Sequence, residues 1–280
     1  MSEWYTCEMS EITLSQLWIH PVKSLRGLSL TEAEVTPRGL AHDRRWMVVD
    51  AAGRFLTQRQ QPRLALVHPQ IDTARNLLCL HDAGQQRNDL ELPLRLDSGQ
   101  PVEVEVWKDR CRALDAGEDA AEWISTAAGQ PARLVYMPDE TRRAVDPDYA
   151  RPGDVSSFSD GFPLLIISEG SLDALNRRLG RPLPMRRFRP NLVIAGTAPH
   201  AEDEWRRIRI GDVELELVKP CSRCIVTTVD PETGERDPER EPLRTLMQYR
   251  LRDNKVYFGQ NAIPRTTGRL HTGQPVTVVD

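Results

Sequence analysis

Val102-Glu103-Val104-Glu105-Val106 alternates apolar and acidic residues without a break. Successive side chains on a strand point to opposite faces, so this run predicts a strand with one face in a core and the other in water. It is the clearest of a series of short extended segments. Upstream, Ser15-Gln16-Leu17-Trp18-Ile19 stops at His20-Pro21, because the residue before a proline avoids helix. Residues 28–35 alternate loosely, and 45–50, 51–53 and 54–57 read as strand, turn and strand, with Gly53 at the turn. Downstream, 212–218 alternates, Cys224-Ile225-Val226-Thr227-Thr228-Val229 is strongly β-branched and predicts a strand, and 275–279 reads as the last one. Helical patterning is confined to 118–128 closed by Gly129, 171–179 capped by Gly180, and 243–249. The fold class predicted is mainly β with a few helices (α+β), built as a barrel or sandwich.

With 280 residues the chain can bury one large core or two modest ones. No internal repeat is present, and a domain boundary is expected between Gly129 and Gly153. The formal net charge of -4 argues against a dedicated nucleic-acid binder, although arginines cluster locally, as in Met185-Arg186-Arg187-Phe188-Arg189. No apolar run is long enough to span a bilayer, so no membrane partner is expected. The polar start, Met1-Ser2-Glu3-Trp4-Tyr5, lacks the features of a targeting segment, which leads to the expectation of a cytoplasmic protein. The odd count of 5 cysteines does not suggest a disulfide framework, and Cys7, Cys79 and Cys111 are expected to be incidental thiols.

Four stretches carry possible chemistry. Cys221-Ser222-Arg223-Cys224 is the most specific. Structural zinc usually needs a second pair, which is missing. A redox pair needs a helix N-terminus behind it, whereas the residues that follow favour a strand. One thiolate holding a soft metal, with Arg223 compensating anionic charge, stays open beside two inert buried thiols. Lys23-Ser24, after a strand, suits a phosphate or a plain surface turn. Arg189 and Asn191 flank Pro190 and suit a phosphate or polar heterocycle, or an ordinary turn. Ser168-Glu169-Gly170-Ser171 leads into a helix, with Ser171 as N-cap or with an anion bound at that terminus. No Ser-His-Asp set, GxGxxG or HExxH is readable.

Taken in order, His20-Pro21-Val22-Lys23-Ser24, His42-Asp43-Arg44-Arg45-Trp46, the stretch from Phe158-Ser159-Asp160-Gly161-Phe162-Pro163 to Ser168-Glu169, Phe188-Arg189-Pro190-Asn191 and Cys221-Ser222-Arg223-Cys224 resemble the MOSC-domain proteins with an N-terminal MOSC β-barrel domain. That group includes the mitochondrial amidoxime-reducing component and its bacterial relatives. The resemblance covers nearly the whole chain. It implies a MOSC β-barrel core, 138–280, and a smaller N-terminal β domain, 1–137. It implies a molybdenum–molybdopterin cofactor with Cys224 as metal ligand and catalytic centre. Lys23, Ser24 and Arg44 match positions at the cofactor's phosphate end; Arg189, Asn191, Ser222 and Arg223 match other contacts. Asn261 lies where the pocket closes, and Ser168 and Ser171 lie in a loop associated with the cofactor.

The activity implied is reduction of N-hydroxylated small molecules: amidoximes, hydroxylamines and N-hydroxylated bases. No ferredoxin extension follows the final strands and no flavin or haem motif is visible, so a separate flavin, ferredoxin or b-type cytochrome protein is expected to supply electrons. Two other readings stand beside it. One is a cofactor carrier or sulfur-transfer protein using a persulfide at Cys224 or Cys221, and the other is a non-catalytic module for a phosphorylated ligand.

Overall fold

The computed structural model describes residues 11–84 and 88–280. Cys7 and the polar start of the chain lie outside the described residues. The largest sheet has 9 strands, in the order Val276–Val278, Arg207–Ile210, Val213–Ser222, Lys255–Pro264, Leu164–Ser168, Leu192–Ala195, Thr13–Ile19 and Leu28–Leu30, with Leu251–Arg252 off this path. The first strand of the chain is thus paired with Leu192–Ala195, far along the sequence. Leu14, Leu17, Ile166, Leu192, Ile208, Leu215 and Ala262 are buried together beneath it.

A second sheet runs Gln100–Val106, Asp109–Asp115, Arg133–Tyr136, Trp46–Val49 and Val22–Lys23. Here the alternation of 102–106 does what it predicts: Val104 and Val106 are buried against Met47, Val49 and Val135. The helix Glu118–Ala128 lays Ala120, Ile124, Ala127 and Ala128 against Trp46 and Leu134. Its end at Gly129, in the left-handed region at φ 70, follows from glycine's freedom there.

The mainly β architecture with three helices agrees with the sequence, but several details differ. Among the described residues the strands form no closed barrel. The large sheet comes nearest to closure where Thr13 bridges to Pro275 and the Leu14 N–H donates to the Gln274 carbonyl at 2.9 Å. The run 28–35 breaks in two: Leu28–Leu30 stays in the large sheet, and Glu32–Thr36 pairs with Gly39–Leu40 and Gly268–His271. The expected second arm of the 45–57 hairpin forms no strand and makes isolated bridges, Phe55 with Val49 and Arg54 with Glu105.

The β-branched run after Cys224 is not a strand but a 3-10 helix, Ile225–Thr228. Its threonines are buried, and their hydroxyls donate back to the carbonyls of Cys224 and Ile225 at 3.0 and 2.7 Å, which the tight turn permits and an extended chain does not. The second helix is Glu169–Leu179, with Ser168 rather than Ser171 as N-cap, because the Ser168 hydroxyl accepts from the Ser171 N–H.

Two strands aim the chain at one place. Val213–Ser222 pairs with Lys255–Pro264 with irregularities between Leu217 and Lys219 and between Pro220 and Ser222. Such bulges re-aim the end of a strand. In the partner strand, Gly259 has φ +81, and an added Cβ would lie 2.8 Å from the Ile166 carbonyl oxygen and 2.6 Å from Ile167 Cγ1. Gly259→Ala is therefore expected to cost about 2 kcal/mol of stability, from backbone strain and overpacking together. A fall in the denaturant midpoint checks this, and an unchanged midpoint contradicts it.

Candidate functional site

The two sheets meet at a cleft. Each wall comes from a segment that ends a strand or leaves a turn. Lys23 ends the short strand Val22–Lys23 and Ser24 follows it, and Arg44, Thr57 and Arg59 come from neighbouring loops. Asp160 and Phe162 precede Leu164–Ser168, Arg189 and Asn191 follow the 3-10 turn Met185–Phe188, and Cys221 to Cys224 leave the bulged strand. Asn261 lies opposite Lys219 in the sheet register and lines the same cleft.

Three lining residues with bulky or polar side chains sit at positive φ: Ser24 at 71, Arg44 at 50 and Arg189 at 57. Residues other than glycine pay for this conformation, so each is held by its surroundings. The Arg44 N–H donates to the His20 carbonyl at 2.8 Å, and the Arg189 N–H donates to the Arg186 carbonyl at 3.1 Å.

The cleft is cationic. Lys23, Arg44, Arg59, Arg189 and Arg223 line it, and Asp160 is the one carboxylate among its lining residues. Lys23 is buried, with Nζ 2.6 Å from Asp160 Oδ1. Burial pulls its ammonium down to about 8, against the opposing pull of Asp160. Desolvation in the cleft pushes Asp160 up, but Lys23 beside it holds the carboxyl well below the usual range, so it is ionised. Arg44 is backed by Asp43, which also accepts the His20 N–H at 2.7 Å. His20 itself adds no charge: burial, then Arg189 and Arg44, keep its ring neutral.

Arg189 and Arg223 differ from these two. Among the described residues neither has a carboxylate within ion-pair distance. Arg189 Nη1 donates to the Leu25 carbonyl at 2.6 Å, and burial and Arg44 lower its pKa. Arg223 Nη2 donates to the Phe188 carbonyl at 2.5 Å and Nη1 to Cys221 Sγ at 3.1 Å, while its buried Nε has no partner among the described residues. A desolvated cation held only by neutral groups favours an anion beside it.

The two cysteines are not equivalent. Cys221 sulfur is engaged by Arg223. Cys224 is the N-cap of the 3-10 turn and half-buried in the cleft, and among the described residues its sulfur has no hydrogen-bond partner. No group of three His, Cys, Asp or Glu that could hold a metal ion occurs among the described residues. An ion bound here would need a ligand other than a protein cage.

Of the residues singled out in the sequence, the structure brings Lys23, Ser24, Arg44, Arg189, Asn191, Ser222, Arg223, Cys224 and Asn261 to one cleft. It does not bring Ser168 and Ser171. Both are fully buried, and their hydroxyls donate to Glu202 at 2.7 Å each, so they fix the start of the helix instead of lining the cleft. Sequence reasoning missed Asp160, Thr57, Arg59 and Phe162. Asp160 stood inside a noted motif without a role, and Arg59 gave no signal.

Two family models match the chain: the MOSC N-terminal beta barrel domain over residues 11–131 and the MOSC domain over residues 153–277. Human mitochondrial amidoxime-reducing component 1 is 41% identical, over 94% of this chain and 82% of that protein. The mouse component 1 is 39% identical over 94% and 81%, and the rat component 2 is 37% identical over 94% and 82%. These names overturn the expectation of a cytoplasmic protein, since the relatives are mitochondrial ones. No helix among the described residues is long and apolar enough to cross a membrane.

The pKa of Lys23 sets a pH dependence. Its ammonium is charged below about 8 and neutral above it. Sulfate keeps its charge through this range, so its affinity for the ligand-free protein should fall several-fold between about pH 7 and about pH 9. Titration calorimetry reads this, and Lys23→Met should flatten the profile. A wild-type affinity that does not change with pH contradicts the assignment.

Proposed function

The chain belongs to the MOSC family that includes the amidoxime-reducing components, and from that premise we propose that it is a molybdenum-cofactor reductase of N-hydroxylated small molecules. The observation that carries the reading is one cysteine sulfur without a hydrogen-bond partner among the described residues, in a cleft whose described lining has five cations and one carboxylate. A pterin cofactor of this kind is an anion with a phosphate tail, and the residues fit it. The partnerless Arg223 Nε and the carboxylate-free Arg189 are what such a group would satisfy.

In this proposal Cys224 holds the metal. Lys23, Ser24 and Arg44 take the phosphate end, and Arg189, Ser222, Arg223 and Asn261 contact the remainder. Asn191 supports the site from behind, since its amide already bonds Leu165, Trp18 and Arg44. An N-terminal unit, 1–137, would supply the phosphate end and a C-terminal unit, 138–280, the metal end.

When bound, the cofactor would supply the two-electron redox chemistry, the protein's part being binding, orientation and electrostatics. Cleaving the N–O bond of an amidoxime to give the amidine and water consumes two electrons and two protons. Lys23, Arg44, Arg189 and Arg223 would neutralise the anionic group in a partly desolvated cleft. The electrons come from a separate donor protein in this reading.

Protein made in a host that synthesises the cofactor should contain about one molybdenum per chain and reduce an amidoxime with a chemical reductant. Cys224→Ser should lose most of both, while Cys221→Ser keeps them. The reverse pattern would transfer the ligand role to Cys221, and wild-type protein without molybdenum would end the proposal.

A further inference from the structure

Beside the cleft lies a second, small cavity, and four arginines line it. Arg186, Arg187 and Arg189 come from the turn Met185–Phe188 and the residue after it, and Arg26 comes from the first part of the chain. Gln58 and Val226 add to the walls, and no Asp or Glu stands among the described lining residues. Arg189 and Val226 also line the cleft, so the two spaces share a wall. About 20 Å³ inside is open to the centre of a water-sized particle. One water needs roughly 10–15 Å³ on that measure, so the space suits a single water or a monatomic ion.

The carboxylates around the cavity do not balance its charge. Glu232 is divided between Arg26, at 2.8 Å, and Arg186, at 2.6 Å. Asp230 accepts only from Nη2 of Arg187, at 2.7 Å. Arg189 has the Leu25 carbonyl and no carboxylate among the described residues. Four guanidinium groups therefore share two carboxylates. Arg187 is the most costly of them. Its side chain is 4% exposed, and its buried Nε and Nη1 have no hydrogen-bond partner among the described residues. Burial lowers its pKa, with Asp230 opposing. A guanidinium taken out of water is destabilising unless both its charge and its donors are met.

We propose that this cavity is a second anion site, which takes one monatomic anion such as chloride at Arg187 and Arg189. A water there would accept from a guanidinium N–H and leave the excess positive charge in place, whereas a halide meets both. Arg26 and Gln58 fall within the matched span 11–131, and Arg186, Arg187, Arg189 and Val226 within 153–277, so a bound ion also joins the two domains. The proposal does not depend on the reductase reading.

Two measurements test it. Crystals of the wild type grown with bromide in place of chloride should give an anomalous peak at Arg187 and Arg189, in cofactor-free and cofactor-loaded protein alike. No peak, or peaks confined to the cleft, overturns the proposal. A peak that gives way to phosphate density on loading also overturns it, because the cavity would then belong to the cofactor. In solution, replacing gluconate by chloride at constant ionic strength should raise the melting temperature by about 2–4 °C. Lys23→Met, which removes a cation that lines only the cleft, should keep that rise. Arg187→Met should lose it, whatever its own melting temperature in gluconate. A rise that survives in Arg187→Met contradicts the assignment. A bromide peak without any rise in the wild type marks an adventitious ion only, and overturns it as well. Where Arg187→Met does not fold, the bromide peak together with the wild-type rise still decides.

Discussion

The side-chain amide of Asn191 joins the parts on which the cleft depends. Its Nδ2 donates to the Trp18 carbonyl at 3.2 Å, and its Oδ1 accepts the Leu165 N–H at 3.1 Å and Arg44 Nη1 at 3.3 Å. One buried amide therefore ties the first strand of the chain to the strand Leu164–Ser168 and orients a cation of the cleft. Its backbone repeats the link, since the Trp18 N–H donates to the Asn191 carbonyl and the Asn191 N–H to the Leu165 carbonyl. In a site that is 1% exposed, losing this amide would strand backbone groups at about 1–3 kcal/mol each. An apolar residue could fill the volume but not meet three polar partners. Pro190 beside it fixes the backbone that presents it.

Around that joint the molecule has concentrated costs. Lys23 and Arg44 are at least offset by Asp160 and Asp43, while Arg189 and Arg223 are held by carbonyls and a thiol. Partly desolvated cations held only by neutral groups are costly, and residues at positive φ add strain. Ser24, Arg44, Arg189 and Trp107 all combine positive φ with a place in or beside the cleft. Two kinds of destabilisation thus meet at the cleft, while His42, Asn76, His200, Arg240, Asp253 and Asn254 hold positive φ elsewhere. The ligand would return through binding what the free protein forgoes in stability.

What the sequence made legible was local. Val102-Glu103-Val104-Glu105-Val106 encodes its own strand by alternation, and the helix over 118–128 appears with both its ends because glycine marks the stop. Pairing over long distances left no such mark. Nothing near Thr13 says that it will lie beside Ala195. Ser168 looked like a ligand-loop residue because its true partner, Glu202, is 34 residues further on, and only the folded chain brings the carboxylate to it. The run after Cys224 misled for a different reason. Threonine favours strands by the shape of its side chain, but here its hydroxyl is buried and finds an acceptor only in a tight turn. Most of the cleft was nonetheless legible as an ordered set of short motifs, since the strand ends that carry Lys23, Arg189 and Cys224 are the places where the motifs fall.

That wrong turn in the sequence reading bears on the choice between the two cysteines. Had 224–229 continued as a strand, successive side chains would alternate across it, and the geometry would give no reason to prefer either thiol. The bulge before Ser222 and the turn after Cys224 place the pair at a bend. Cys221 faces the Arg223 guanidinium, whereas Cys224 opens the turn with its sulfur unengaged. In the proposed reading the unengaged Cys224 sulfur is the readier ligand, whereas a metal at Cys221 would share its sulfur with the Arg223 donor.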